Sequence, residues 1–221
     1  MKKVIITGTT GMVGKGVLLE CLESAAIEKV LVINRSSIKI EHPKLEEIIL
    51  PDFLKVDTIK TQMKGYDACF YCMGISSIGM NEATYTKITF ETTKAFADVL
   101  YEVNPRMVFN YVSGQGTDGT EKGNIMWARV KGKTENMILN KGFKDAYAIR
   151  LGGLLPEKGI KSKTSLYNAI YSIIRPFIPL FRNSPSIINT SRFGKAMINT
   201  LIYPSINKVL TNKDLNLLAA R

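Results

Sequence analysis

The stretch Val4-Ile5-Ile6-Thr7-Gly8-Thr9-Thr10-Gly11-Met12-Val13-Gly14 decides how the rest of the chain is read. An apolar, β-branched run is followed at once by three glycines at every third position and then by a helix-like segment. Glycine permits a tight turn after a strand, removes the Cβ that would keep a phosphate away from backbone N–H groups, and lets the next helix pack close to the sheet. The spacing departs from G-x-G-x-x-G. Its place between strand and helix nevertheless points to a turn that cradles the pyrophosphate of a dinucleotide.

Working outward, residues 3–7, 12–22 and 30–34 read as strand, helix and strand, a βαβ unit. Further strands are expected at 46–50, 68–73, 107–113 and 146–150, with helices near 85–103 and 125–141. This alternation predicts an α/β fold, a doubly wound parallel sheet covered by helices on both faces, with ligands at the carboxyl ends of its strands. After Arg150 come a loop, an apolar segment at 166–181, a helix near 192–203 and a short tail at 208–210 and 215–220. Residues 151–221 are expected to form a small helical, substrate-side cap. With 221 residues, no internal repeat and no linker-like stretch, residues 1–221 are expected to form one domain.

Composition narrows the function classes. The net charge is +11, but the lysines are scattered from Lys2 to Lys213 with no dense basic block, which favours an anionic small ligand over nucleic acid. His42, the only histidine, stands beside Pro43 in an expected loop, so a histidine triad or a multi-histidine metal site is nearly excluded. Cys21, Cys69 and Cys72 suit a reducing compartment. In a strand, Cys69 and Cys72 point to opposite faces and neither chelate a metal nor close a disulfide. The run after Lys2 and Lys3 is too short for a signal peptide, and Arg175, Pro176 and Pro179 interrupt the 166–181 segment below the roughly 20 residues that span a bilayer. A cytoplasmic protein without integral membrane association is expected.

The chain resembles the short-chain dehydrogenase/reductase superfamily, specifically its atypical, NAD(P)-binding, epimerase/dehydratase-like members. The resemblance rests on Thr7-Gly8-x-x-Gly11-x-x-Gly14, Leu50-Pro51-Asp52-Phe53, Cys72-Met73-Gly74, Tyr111-Val112-Ser113-Gly114, Lys131 and Arg150-Leu151-Gly152-Gly153. It implies that Gly8, Thr10, Gly11, Met12, Val13 and Gly14 bind the cofactor, with Asp52 and Phe53 beside the adenine and Met73 and Gly74 along the adenosine ribose. Leu154 belongs to the segment implied to pass under the nicotinamide, although Leu151 stands where proline is usual. At the end of the second strand an NAD-binding protein commonly carries a carboxylate for the ribose hydroxyls. Here stand Asn34 and Arg35. An amide followed by a guanidinium accepts a 2′-phosphate, so NADP is favoured and NAD stays open.

The resemblance further implies a catalytic serine after the fifth strand and a Tyr-x-x-x-Lys on the next helix, where the lysine lowers the tyrosine pKa and holds the nicotinamide ribose. Ser113 and Lys131 match. The tyrosine position is Trp127, whose indole N–H donates a hydrogen bond but cannot cycle a proton near neutral pH. Three readings stand: another group (Tyr85, Lys131, Ser113 or water) supplies the proton; the proton comes from solvent; or the protein binds cofactor without turnover. The expected function is accordingly hydride transfer between NADP(H) and a small, partly apolar carbonyl, with a catalytically silent redox sensor as the alternative. A protein partner or a homodimer is left open. Tyr167, Tyr171, Ile174, Phe177 and Phe181 recur at helical spacing and read as a core stripe or the wall of a substrate pocket.

Overall fold

A computed structural model describes residues 1–160 and 184–221. The tyrosine and phenylalanine stripe and the apolar 166–181 segment lie outside the described residues. The main strands are β1 (Lys2–Thr7), β2 (Ile27–Asn34), β3 (Leu45–Ile49), β4 (Ala68–Tyr71), β5 (Val108–Val112) and β6 (Asp145–Arg150). A short β7 (Gly153–Leu155) pairs in parallel with β8 (Ile187–Asn189), and β9 (Val209–Thr211) joins the main sheet beside β6. The seven-stranded order is β3-β2-β1-β4-β5-β6-β9, parallel throughout. This is the expected doubly wound Rossmann architecture. Because β2 and β4 leave β1 in opposite directions, a crevice opens above the end of β1.

Strict alternation along the strands builds a core on each face. Val4, Ile6, Val30, Val32 and Phe70 point to the face covered by α1 (Met12–Glu23) and a later helix; Ile5, Leu31, Ile33, Cys69 and Tyr71 point to the other. Cys72 packs against the first core and Cys69 lies in the second, on opposite faces. No cluster of three metal-ligating side chains exists among the described residues. No described helix is long and apolar enough to cross a membrane.

Several boundaries differ from the sequence reading, each for a local reason. β2 begins at Ile27 because that residue already pairs with Lys2. β4 ends at Tyr71, since the turn at Gly8 comes against the Cys72 carbonyl. The helix expected at 85–103 is broken into α2 (Glu82–Thr86), a π-helical turn (Lys87–Glu91) and α3 (Thr92–Val103). A 3₁₀ stretch at Phe53–Met63 was not anticipated; it buries Phe53, Val56, Ile59 and Met63, a spacing of three and four. α4 spans Met126–Leu139, α5 Thr190–Ile202 and α6 Asn212–Leu218.

Residues read as a cap therefore also build the body of the fold. β9 extends the main sheet, and α5 lies on α1. A Cβ on Gly16 would stand 2.8 Å from the Thr190 Cβ, and one on Gly194 would meet the Glu20 side chain at 2.5 Å. The two helices thus touch backbone to side chain, which only glycine allows.

Candidate functional site

The turn after β1 is fixed by backbone packing. Gly8 has φ +73°, and a Cβ there would lie 2.7 Å from the Cys72 carbonyl oxygen. A Cβ on Gly14 would overlap the Gly8 carbonyl. Gly11 donates its N–H to the Gly8 carbonyl (3.0 Å) and caps α1 with no side-chain bond and no acidic residue in the first turn. A helix start with uncapped N–H groups and no competing carboxylate suits an anion. Met12 and Val13 turn to the first core.

A groove of about 670 Å³ runs from this turn along the carboxyl ends of the strands. Gly8, Thr10 and Gly11 form its floor; Asn34, Arg35 and Ser36 close one end, with Asp52 and Phe53 beside them. Met73 and Gly74 line the middle, and a Cβ on Gly74 would meet nothing within 4 Å. Tyr85, Thr89, Tyr111 and Lys131 line the other end. Most of the residues singled out from the sequence therefore share one cavity. Met12, Val13, Gly14, Ser113 and Leu154 do not line it; Leu154 is buried in β7 within the first core.

At the Arg35 end, the buried Asn34 amide brackets the Thr9 hydroxyl (2.8 and 3.0 Å) and donates to Glu47 (3.2 Å). Glu47 also accepts from Ser37 Oγ (2.6 Å) and the Ile38 N–H (3.1 Å). Asn34 is thus a structural bracket, and Glu47 holds the loop that presents the exposed Arg35. Glu47 reads in sequence as an ordinary edge-strand carboxylate, with no signal of this role. Asp52 accepts from Leu54 N–H (3.0 Å), and Phe53 packs edge-on against Phe96.

At the other end, α4 brings Lys131 to within 3.7 Å of where a Gly114 Cβ would lie. Burial pushes the Lys131 pKa down, opposed by the carboxylate of Glu135 one turn later. Glu135 is buried and holds Arg150 through two contacts to Nε (3.2 Å each) and one to Nη2 (2.7 Å). Ser113 Oγ lies 2.5 Å from Glu135 Oε1 and 3.1 Å from the Ile149 carbonyl, two acceptors for its one proton. The i, i+4 spacing from Lys131 was the only sequence signal for Glu135. Trp127 is half-buried, its ring 3.4 Å from the Cβ position of Gly116, which has φ +88°. It is absent from the groove wall.

No family model matches the sequence. The chain is 25% identical over 159 residues to Protein HTATIP2 of Rattus norvegicus, covering 71% of this chain and 64% of the rat protein. Among solved structures, uronate dehydrogenase from Agrobacterium tumefaciens superposes with a TM-score of 0.67 at 14% identity, over 95% of this chain and 76% of that one. The Bordetella bronchiseptica enzyme WbmF, solved in complex with NAD⁺, gives 0.66 at 14% identity, over 98% and 76%. Together with the parallel sheet and the glycine turn at its switch point, these likenesses bear out the resemblance to the atypical short-chain dehydrogenase/reductases and their NAD(P)-binding Rossmann fold.

Proposed function

We propose that the protein is an NADP(H)-dependent oxidoreductase that transfers hydride to a small, partly apolar carbonyl compound. The observation that carries this reading is the groove joining the bare start of α1, the exposed Arg35 and the half-buried Lys131. Its size falls within the usual range of cofactor and ligand pockets, about 300–1,000 Å³. Gly8, Thr10, Gly11, Met12, Val13 and Gly14 form the pyrophosphate turn, with Arg35 on the 2′-phosphate. Asp52 and Phe53 flank the adenine, Met73 and Gly74 the ribose, and Leu154 backs the nicotinamide side. Lys131 holds the nicotinamide ribose. Bound NADPH supplies the hydride. Ser113 stands behind the groove wall and, through its bond to Glu135, positions the carboxylate one turn from Lys131. The apolar Ile75, Met80 and Ile88 on the same wall suit a substrate with a hydrophobic part.

The cofactor choice is tested by titrating NADPH and NADH fluorescence. NADPH is expected to bind at least about tenfold more tightly, ~1.4 kcal/mol, and Arg35→Asp to abolish that preference. Equal affinities unaffected by Arg35→Asp would refute the assignment. Trp127 favours a second reading, a catalytically silent NADP(H)-binding sensor. Tight NADPH binding with only background oxidation over a broad panel of aldehydes, ketones and quinones would select it.

A further inference from the structure

Trp127 leaves the lysine of the family motif without its helical tyrosine, and the question is which group at that end of the groove can give up a proton. Ser113 is committed to Glu135 and Ile149 and does not reach the groove. Tyr111 stands on β5 with its ring against Tyr71 and its hydroxyl near Thr134, buried within the core. Tyr85 remains. It projects from α2, lines the groove together with Lys131, and its hydroxyl lies near Thr89 in the π-helical turn that follows.

The placement of Tyr85 is fixed from outside the groove. α2 packs on α4, and Glu82 at its start holds Arg129 of α4 at 2.7 Å. Lys133 Nζ sits 4.6 Å above the Phe90 ring, tying the π turn to the same helix. In the turn itself the Thr92 N–H reaches back five residues to the Lys87 carbonyl, which carries Thr89 under Tyr85. π-helical turns inside helices are frequent at functional sites. Among the described residues, the turn sits beside the one phenol lining the groove that is not built into a strand.

We infer that Tyr85 is the proton donor of the site, a phenol brought from α2 to face Lys131 of α4 in place of the tyrosine that Trp127 displaces. The inference rests on the reading of the groove as an NADP(H) oxidoreductase site. As a hydride and its electron pair reach the carbonyl carbon from NADPH, the Tyr85 O–H bond breaks. The proton joins the carbonyl oxygen, whose π electrons become the O–H bond. The carbonyl is reduced to an alcohol, NADPH is oxidised to NADP⁺, and the phenolate regains a proton from water. Lys131 stabilises the transient phenolate by its charge. Burial raises the Tyr85 pKa, which keeps the phenol protonated at neutral pH before reduction.

The test uses the full chain and the variants Tyr85→Phe and Thr89→Val, with 4-nitrobenzaldehyde as carbonyl probe. Tyr85→Phe is expected to bind NADPH within about threefold of wild type and to reduce the probe at least 100-fold more slowly, with the solvent isotope effect lost. Thr89→Val, which leaves the phenol in place, is expected to slow reduction several-fold. A second readout is independent of turnover: the tyrosinate absorbance at 295 nm that Tyr85→Phe removes should move to lower pH when NADP⁺ binds, because a positive ring is placed beside the phenol. Unchanged turnover in Tyr85→Phe, or a tyrosinate band indifferent to bound NADP⁺, overturns the assignment. Failure of the wild type to bind NADPH at all would instead overturn the reading on which it rests.

Discussion

The two ends of the groove are built from different materials. The glycine-turn end is made of backbone: Gly8 against the Cys72 carbonyl, Gly14 against the Gly8 carbonyl, and the uncapped N–H groups of α1. The lysine end is made of side chains from β5, β6, α2 and α4, held by ion pairs such as Glu82 to Arg129 and Glu135 to Arg150. Backbone packing of this kind admits one residue type, whereas side chains that meet in space can be supplied from more than one element. The first end is therefore rigidly specified, and the second can be rebuilt without changing the fold.

Gly14→Ala attacks the first end and should have the largest effect. The added methyl group overlaps the backbone of the turn, so a loss of at least about 3 kcal/mol is expected. Thermal melting should fall by roughly 6–12 °C, and NADPH binding should become undetectable by fluorescence. A variant that melts within a degree of wild type would show that the turn is as tolerant as the lysine end.

Lys131→Met tests the opposite property, that the second end is kept at the expense of stability. Burial disfavours the ammonium form, so the folded protein binds this proton less tightly than the unfolded chain does. The penalty is fully present below the folded pKa and disappears as pH rises from there to the unfolded value. Replacement should accordingly stabilise the protein by about 1 kcal/mol at pH 7, with the difference shrinking toward alkaline pH, while NADPH affinity falls. Melting curves at pH 7 and pH 10 measure it. A destabilised variant at both values would mean that Lys131 is a structural contact.

Trp127→Tyr should have the smallest consequence. Its ring is half-buried over Gly116 and does not line the groove. With Tyr85 already supplying a phenol, carbonyl reduction is expected to change by no more than a few-fold. A gain of a hundredfold would show that the natural site lacks a donor.

Legibility in the sequence follows the same division. The Gly8, Gly11 and Gly14 turn could be read because glycine is demanded by the conformation it occupies, and the strands could be read because burial on both faces leaves continuous apolar runs. The 3₁₀ stretch at Phe53–Met63 escaped because its apolar residues fall at every third or fourth position amid exposed lysines. Glu47 and Glu135 escaped for a different reason. Each organises partners far away in sequence, Asn34 and Ile38 in one case and Ser113 and Arg150 in the other, and neither is marked by its immediate neighbours. Asn34 stood at the expected position yet serves to hold Thr9, leaving Arg35 as the residue that faces outward.

The contact of Gly16 with Thr190 and of Gly194 with Glu20 also bears on how the chain comes together. The helix that begins at the glycine turn is synthesised well before the helix it rests on. At typical rates of synthesis that interval is on the order of ten to forty seconds. During it, Val17, Leu18 and Cys21, all buried in the finished fold, have no α5 to cover them. Contacts this distant in sequence slow folding and prolong the exposure of apolar surface. That interval is thus the stage at which a chaperone would have most apolar surface to hold, and α5 is the element that covers it.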